Sequence, residues 1–514
     1  MATDDRNSRR SESLGRIRST RSIRVGPAAH VKAKLTPLRV LTWVVAVGVV
    51  VWSTLAAGPP RAGAGSRLAA PATVGPFAFA VAVDKRAGRA FVVSASIDTT
   101  NASVNGLTGQ GRVSVLDART GALLRTVNVG PGSVTLAVDE RAGHAFVANM
   151  GRIQWYHNAD GTTADRAVNQ SLSLLDTRTG HVLRTISLGG QVPFALAVDT
   201  RTSRVFVATG PLPPNTPGQS SNVRVLDTRT GALLRTVALH SIPPLASSQM
   251  AVDETTGRVF LVLSDIFRNP RARSTVRILD AGTGAVVRSV TVGRETTAMV
   301  VDQRTHHLFV TNGLRQMSFN TVQVMVNKIN TVSMLDTRSG GVLRTLTQAQ
   351  GLGCVAVDER TGHIFCFTGS NALHSGQMLM LDTRSGALLR TVPVGNPAAL
   401  VVDATASRAL VLNQGRLDSH GQLRGGATLS VLDTLSGAIL RTVPLTLPPA
   451  FQGRPAFQGG PTLPPAVAVD EQTGRAFVLL VGDMLANRVR VLDTRSGALV
   501  RTVPLHPAPA ARTP

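Results

Sequence analysis

Aspartate and arginine recur in this chain at a spacing that could do acid/base or anion-clamping chemistry. In VRVLDTRTGALLRTV, Val223 to Val237, Asp227 precedes Arg229 and Arg235. A carboxylate beside a guanidinium can serve as a proton-transfer pair, and several arginines can clamp a phosphate or carboxylate. Further versions of the stretch carry Asp117, Asp176, Asp280, Asp336, Asp382, Asp433 and Asp493. A second motif, typified by AVDETTGRVFLV, carries Asp84, Asp139, Asp199, Asp253, Asp302, Asp358, Asp403 and Asp470. Catalysis needs one constellation, whereas these groups recur in nearly every unit. They read as turn caps and solvated edges.

Residues that occur once are more informative. Cys354 and Cys366 are the only two cysteines and flank one turn in GCVAVDERTGHIFCF. Pairing Val357 with His363 around a five-residue turn places Cys354 opposite Cys366, as a disulfide or as two buried thiols. His306 and His307 sit in a turn where other copies have Thr-Gly-Arg or a close variant. No HExxH, CxxCH or DxDxDG spacing appears, so no metal or other cofactor is expected. Trp155, Tyr156 and His157 are adjacent in one long loop, and Arg268, Arg271, Arg273 and Arg277 form the densest basic run in the loops. These are the candidate ligand contacts: Trp155, Tyr156, His157, Arg268, Arg271 and Arg273.

The two motifs alternate strictly, eight of each. One full unit reads apolar strand (AVAVD), tight turn, strand (RAFVV), longer loop, strand (VSVLD), tight turn, strand (LLRTV). Four-stranded meanders in series predict an all-β, eight-bladed β-propeller of antiparallel blades over 74–505, with seven blades as the alternative. AVAV is apolar at every position and suits an innermost strand covered on both faces. LLRTV carries a mid-strand arginine in all eight copies and suits an outer edge, where charge blocks edge-to-edge pairing. Each blade is then a contiguous stretch of chain, and closure rests on packing between the first and last blades.

The first and third connections of each blade are short Asp-capped turns, so one face of the propeller offers little room for a site. The second connections, such as Met150 to Gln170 and Ser264 to Thr275, are long and different in every blade. Function is expected on that long-loop face. An enzyme of hydrolase or lactonase type would need His, Glu or Asp converging where the inner strands end beside those loops. The sequence there is mostly apolar and small (Pro76 to Phe79, Val192 to Ala195, Asn396 to Ala399).

Before the repeats, 1–39 is a polar, basic leader, expected to be disordered, with ten Lys or Arg against three acids. Val40 to Ala57 is an uncharged apolar run that spans roughly 27 Å as a helix, near the thickness of a bilayer core. The basic excess ahead of it predicts a signal anchor with its N-terminus in the cytoplasm. A cleaved signal peptide and secretion are the alternative. A Pro/Gly/Ala-rich linker (58–73) and a tail (506–514) flank the propeller. The formal charge is +24, of which the leader holds +7. An external basic protein meets anionic lipids, glycans or cell-wall polymers before nucleic acid, so no nucleic-acid partner is expected.

Phe309-Val310-Thr311-Asn312, Phe146-Val147-Ala148-Asn149 and Val113 to Thr120 (VSVLDART) are similar to the YVTN β-propeller repeat. The chain resembles that family over about 74–505. The resemblance implies a propeller, often seven-bladed, at a bacterial or archaeal surface or in the periplasm, with a binding or structural role. The expected protein is therefore a membrane-anchored binding or scaffold module, without catalysis, for an unidentified protein or an anionic cell-surface polymer. A propeller hydrolase and a passive surface or adhesion component are the alternatives.

Overall fold

A computed structural model describes residues 42–45, 48–51, 73–98, 109–157, 163–211, 220–239, 249–263, 273–294, 296–313, 317–319, 322–324, 330–348, 352–368, 376–413, 416–417, 423–424, 426–445, 466–480 and 488–505. The expected leader, most of the linker, the tail, and the positions of Arg268 and Arg271 lie outside these residues.

Eight four-stranded antiparallel sheets follow one another along the chain, each in simple meander order. Blade one is Thr73–Asp84, Arg89–Asp98, Gly111–Asp117 and Leu123–Val129, and blade eight is Ala466–Asp470, Arg475–Leu479, Arg488–Asp493 and Leu499–Pro504. The innermost strands contact one another in sequence around the ring, and that of blade one meets that of blade eight. The molecule is an eight-bladed β-propeller. It closes without a strand shared between its ends.

Alternation along each second strand builds the core, because residues of period two face opposite neighbours. In blade one, Ala90 and Val92 pack with Phe477, Leu479 and Val491 of blade eight, while Phe91 and Val93 pack with Ala145, Val147 and Leu175 of blade two. The same arrangement gives one apolar cluster at each of the eight blade interfaces. Phe91, Phe146, Phe206, Phe260, Phe309, Phe365 and Phe477 are fully buried at equivalent places, and Leu410 takes that place in blade seven. Burying such a ring contributes about 2–3 kcal/mol.

Closure adds polar contacts to this packing. Lys85 Nζ pairs with Glu471 at 2.6 Å, Thr473 Oγ1 donates to the Ala118 carbonyl at 3.3 Å, and Arg475 Nε to the Arg119 carbonyl at 3.2 Å.

Two readings of the strands are corrected. In every first turn the aspartate itself joins the ladder, as Asp358 opposite His363 and Asp199 opposite Arg204, leaving four turn residues instead of five. Cys366 therefore lies opposite Val355, not Cys354, with a register irregularity between Leu352 and Val355. Cys366 is a buried free thiol. Other blades share this register: Ala195 faces Ala208, and Ala466 faces Leu479.

The outer arginines are not simple edge guards. Arg184, Arg235, Arg288, Arg344 and Arg390 each donate to a carbonyl in the third turn of the next blade, for example Arg235 Nη1 to Thr283 at 3.0 Å. The edge is interrupted by a bulge. In each blade the residue before the arginine, such as Leu124 or Leu234, has no partner in the ladder. A bulge twists an edge away from pairing with another chain.

The apolar run at 40–57 shows no helix among the described residues; Thr42–Val45 pairs with Gly48–Val51 as a two-stranded ladder. No described helix is long and apolar enough to cross a membrane.

Candidate functional site: the two faces of the propeller

The long-loop face carries the additions to the repeat. Hairpins are inserted in the second connections of blade two (Arg152–His157 with Thr163–Val168), blade five (Met317–Phe319 with Val322–Val324) and blade seven (Arg416–Leu417 with Leu423–Arg424). Trp155, Tyr156 and His157 belong to the first of these, with Trp155 opposite Asp165 and His157 opposite Thr163. Arg273 opens the third strand of blade four, is exposed, and donates from Nε to the Val292 carbonyl at 2.9 Å. Arg277, four residues on, donates to Ser289 Oγ at 2.9 Å.

Around the axis on this face the inner strands begin at Thr73, Ser133, Val192, Met250, Thr296, Leu352, Pro397 and Ala466. None is a carboxylate or an imidazole. Among the described residues no group of three His, Cys, Asp or Glu could hold a metal ion.

The tight-turn face is more elaborate than its repetitive sequence predicts. Each first-turn aspartate is fully buried and uses Oδ1 to accept turn amides, as Asp139 does from Arg141 and Ala142 at 3.0 and 2.9 Å. Inside that ring, the residues that follow the aspartates reach around the axis from blade to blade. The Thr200 amide donates to Glu254 (2.8 Å), the Glu254 amide to Gln303 (3.2 Å), the Gln303 amide to Glu359 (3.0 Å) and the Ala404 amide to Glu471 (3.1 Å). Burial raises the Glu359 carboxyl above its ordinary value despite that bond, and does the same to Glu140 despite its bond from the Lys85 amide. Reading the turns as uniform missed this girdle. Its signal was a glutamate directly after the aspartate in four of eight blades.

The histidines are structural links. His144, His307 and His363 start second strands, and each Nδ1 lies 2.7–2.8 Å from a carbonyl of the following blade (Thr228, Thr383 and Thr434). His306 takes a left-handed turn position (φ 58°) that is glycine in blades such as one and two. Its Nδ1 lies 3.0 Å from Thr255 Oγ1 and 3.7 Å from Asp253 Oδ2. Asp, His and Thr thus meet without forming a nucleophilic triad. A triad contacts its acid and its hydroxyl through different ring nitrogens, whereas here both lie against Nδ1, and the Thr255 hydroxyl donates to Asp253.

The asparagine of the tetrapeptide similar to the family's namesake is internal wiring as well. Asn149 accepts from Ser133 at 2.6 Å and donates to Ser171 and Ser173 at 3.0 Å, tying three strands of blade two together.

No family model matches this chain, and no curated protein does. Solved structures similar to it include hydrazine synthase of Kuenenia stuttgartiensis, at 15% identity over 69% of this chain and 96% of that one (TM-score 0.45). The WD40 domain of Neurospora crassa Pan2 is 12% identical over 66% and 86% (TM-score 0.42). The dihydro-heme d1 dehydrogenase NirN in complex with DHE is 13% identical over 88% and 78% (TM-score 0.47). These likenesses concern the propeller fold.

Proposed function

We propose that this chain is a propeller of the YVTN-repeat type, anchored through 40–57 with the propeller outside the cytoplasm, and that it works as a binding or scaffold module through its long-loop face. The observation that carries the reading is the placement of the inserted hairpins. All three leave the same face, carried by blades two, five and seven of a rigid ring. Trp155, Tyr156 and His157 on the blade-two hairpin, with Arg268, Arg271 and Arg273 in the blade-four connection, are the proposed contacts with a protein partner. Aromatic residues and arginines are the side chains that such an interface favours.

Two measurements test the reading. Fusions of an export-dependent phosphatase at the C-terminus should be active, and the full chain should resist carbonate extraction from membranes. A cytoplasmic, extractable protein overturns the anchored placement. In vivo photocrosslinking from positions beside Trp155 should trap a discrete partner, and W155A/Y156A/H157A should abolish the adduct. Turnover of lactone or ester substrates by the purified chain would instead establish the enzyme.

A further inference from the structure

We propose that the tight-turn face is a second interaction surface, and that it docks a flexible polyanionic chain outside the cell. The surface is made by the tips of the turns. In the third turns, Arg119, Arg178, Arg229, Arg338, Arg384 and Arg495 stand exposed, one on each of six blades. Nearer the axis, Arg86, Arg141, Arg201, Arg304 and Arg360 are exposed in five first turns. The acids that accompany them are engaged: the girdle glutamates Glu254, Glu359 and Glu471 accept amides of the neighbouring blade. First-turn aspartates are fully buried, and third-turn aspartates accept turn amides and a hydroxyl, as Asp227 does from Thr230.

The six outer arginines are not needed by the fold. Blades four and seven have Gly282 and Leu435 at the same position, and their turns close with the same geometry. Gly284 donates to the Asp280 carbonyl at 2.7 Å and Gly437 to the Asp433 carbonyl at 2.8 Å, as Gly231 does to Asp227 at 2.9 Å. Among the described residues the guanidinium groups of the six make no hydrogen bond or ion pair. They therefore contrast with the outer-strand arginines, whose guanidiniums are bound to the next blade. Guanidinium groups exposed at turn tips are suited to planar anions, which they bind in bidentate fashion.

The geometry favours a chain as the occupant. The tips sit on separate blades around a rim, so one small anion reaches only one or two, whereas a polymer visits several in succession. Topology separates the two faces. The first strand enters the propeller at its long-loop end, at Thr73, and the tight turns lie at the opposite end. With the anchor placed as proposed above, on which this location rests, the arginine face is available outside the cell. Phosphate-bearing and carboxylate-bearing polymers share the chemistry that such a face recognises.

The test uses the full chain in detergent, with immobilised inorganic polyphosphate and polygalacturonate as probes. At least one polymer should bind, with affinity falling linearly in log salt. Substituting all six (R119Q, R178Q, R229Q, R338Q, R384Q, R495Q) should weaken binding at least tenfold and flatten the salt slope by ~0.7 per lost contact. Should that variant fail to fold, R338G/R384L, which copies the residues of blades four and seven, should give a smaller loss in the same direction. The variant R416Q/R424Q in the blade-seven hairpin of the other face should bind as the unsubstituted protein does. Unchanged binding by the six-residue variant, or a loss confined to the hairpin variant, overturns the proposal. So does displacement of the polymer by phosphatidylglycerol vesicles, which would make a bilayer the partner. If neither polymer binds, the proposal fails while the anchored placement stands, since fractionation decides that separately.

Discussion

Thr337 Oγ1 in blade five donates to Asp253 Oδ2 in blade four at 2.6 Å, joining two blades through a fully buried carboxylate. Thr494 and Asp403 repeat the bond between blades eight and seven at 2.6 Å. In the other six blades the first-turn Oδ2 (Asp84, Asp139, Asp199, Asp302, Asp358 and Asp470) is buried without a hydrogen bond among the described residues; the equivalent position in the next blade is Ala281 for Asp199, Ala118 for Asp470 and a threonine for the other four. Thr337→Val should therefore cost about 1–3 kcal/mol, since it strands a buried charged acceptor. Ala281→Thr should stabilise by up to ~1 kcal/mol by supplying a donor. Urea unfolding of the two variants checks both signs; an unchanged midpoint in Thr337→Val would show that the bond carries no stability.

Stability should depend on pH with two opposing contributions. Third-turn carboxylates such as Asp227 are held below the ordinary value: burial pushes upward, but the Thr230 amide and hydroxyl outweigh it. A depressed folded pKa contributes stability that is present above the unfolded value of about 3.9 and lost as pH falls through the folded one. Glu140 and Glu359 are raised by burial, so their contribution is present below about 4.3 and is lost as pH rises through their folded values. The urea midpoint should drop steeply below about pH 4 as the eight aspartate caps protonate. Glu359→Gln should raise the melting temperature at pH 7, on the order of 1 °C, and lose that advantage near pH 4. Gln303 already fills the equivalent place as an acceptor. A gain that persists unchanged at pH 4 would rule out the charge as its origin.

Burial pushes the Cys366 thiol up to about 12. Only the thiolate alkylates, so iodoacetamide at pH 8 should leave Cys366 unmodified in the folded protein. Unfolding in urea without reductant should then allow both Cys354 and Cys366 to react, read as a two-adduct mass shift. Recovery of an unmodified species that reacts only after reduction would establish a disulfide and contradict the register.

The blades were legible because their signals are local. An aspartate followed four residues later by glycine specifies a capped tight turn wherever it occurs, and alternation between apolar and small residues specifies a strand with two buried faces. At Gly231 the tertiary structure adds a reason that the turn alone does not give. A Cβ there would lie 2.8 Å from Ile186 of the preceding blade. The cysteine register was misread by one residue because turn length depends on whether Asp358 caps from outside the ladder or from within it. That choice is made by the backbone and leaves no mark on composition.

The candidate site divides in the same way. That the second connections vary and the turns do not is plain in the sequence. That Trp155 lies in a hairpin strand depends on pairing with Asp165, ten positions further along a variable connection.

Eight repeats, their turn chemistry and their apolar periodicity by themselves determined an eight-bladed propeller, since each unit has one face too many to bury alone and must stack. Only the tertiary structure decided what the repeated charges do. Five outer-strand arginines became clamps because a neighbouring turn carbonyl lies within reach, Asp253 and Asp403 became buried staples because a threonine hydroxyl arrives from the next blade, and turn-tip arginines stayed exposed because no hydrogen-bond acceptor does. Those outcomes depend on distances between blades, which the order of residues along one blade does not contain.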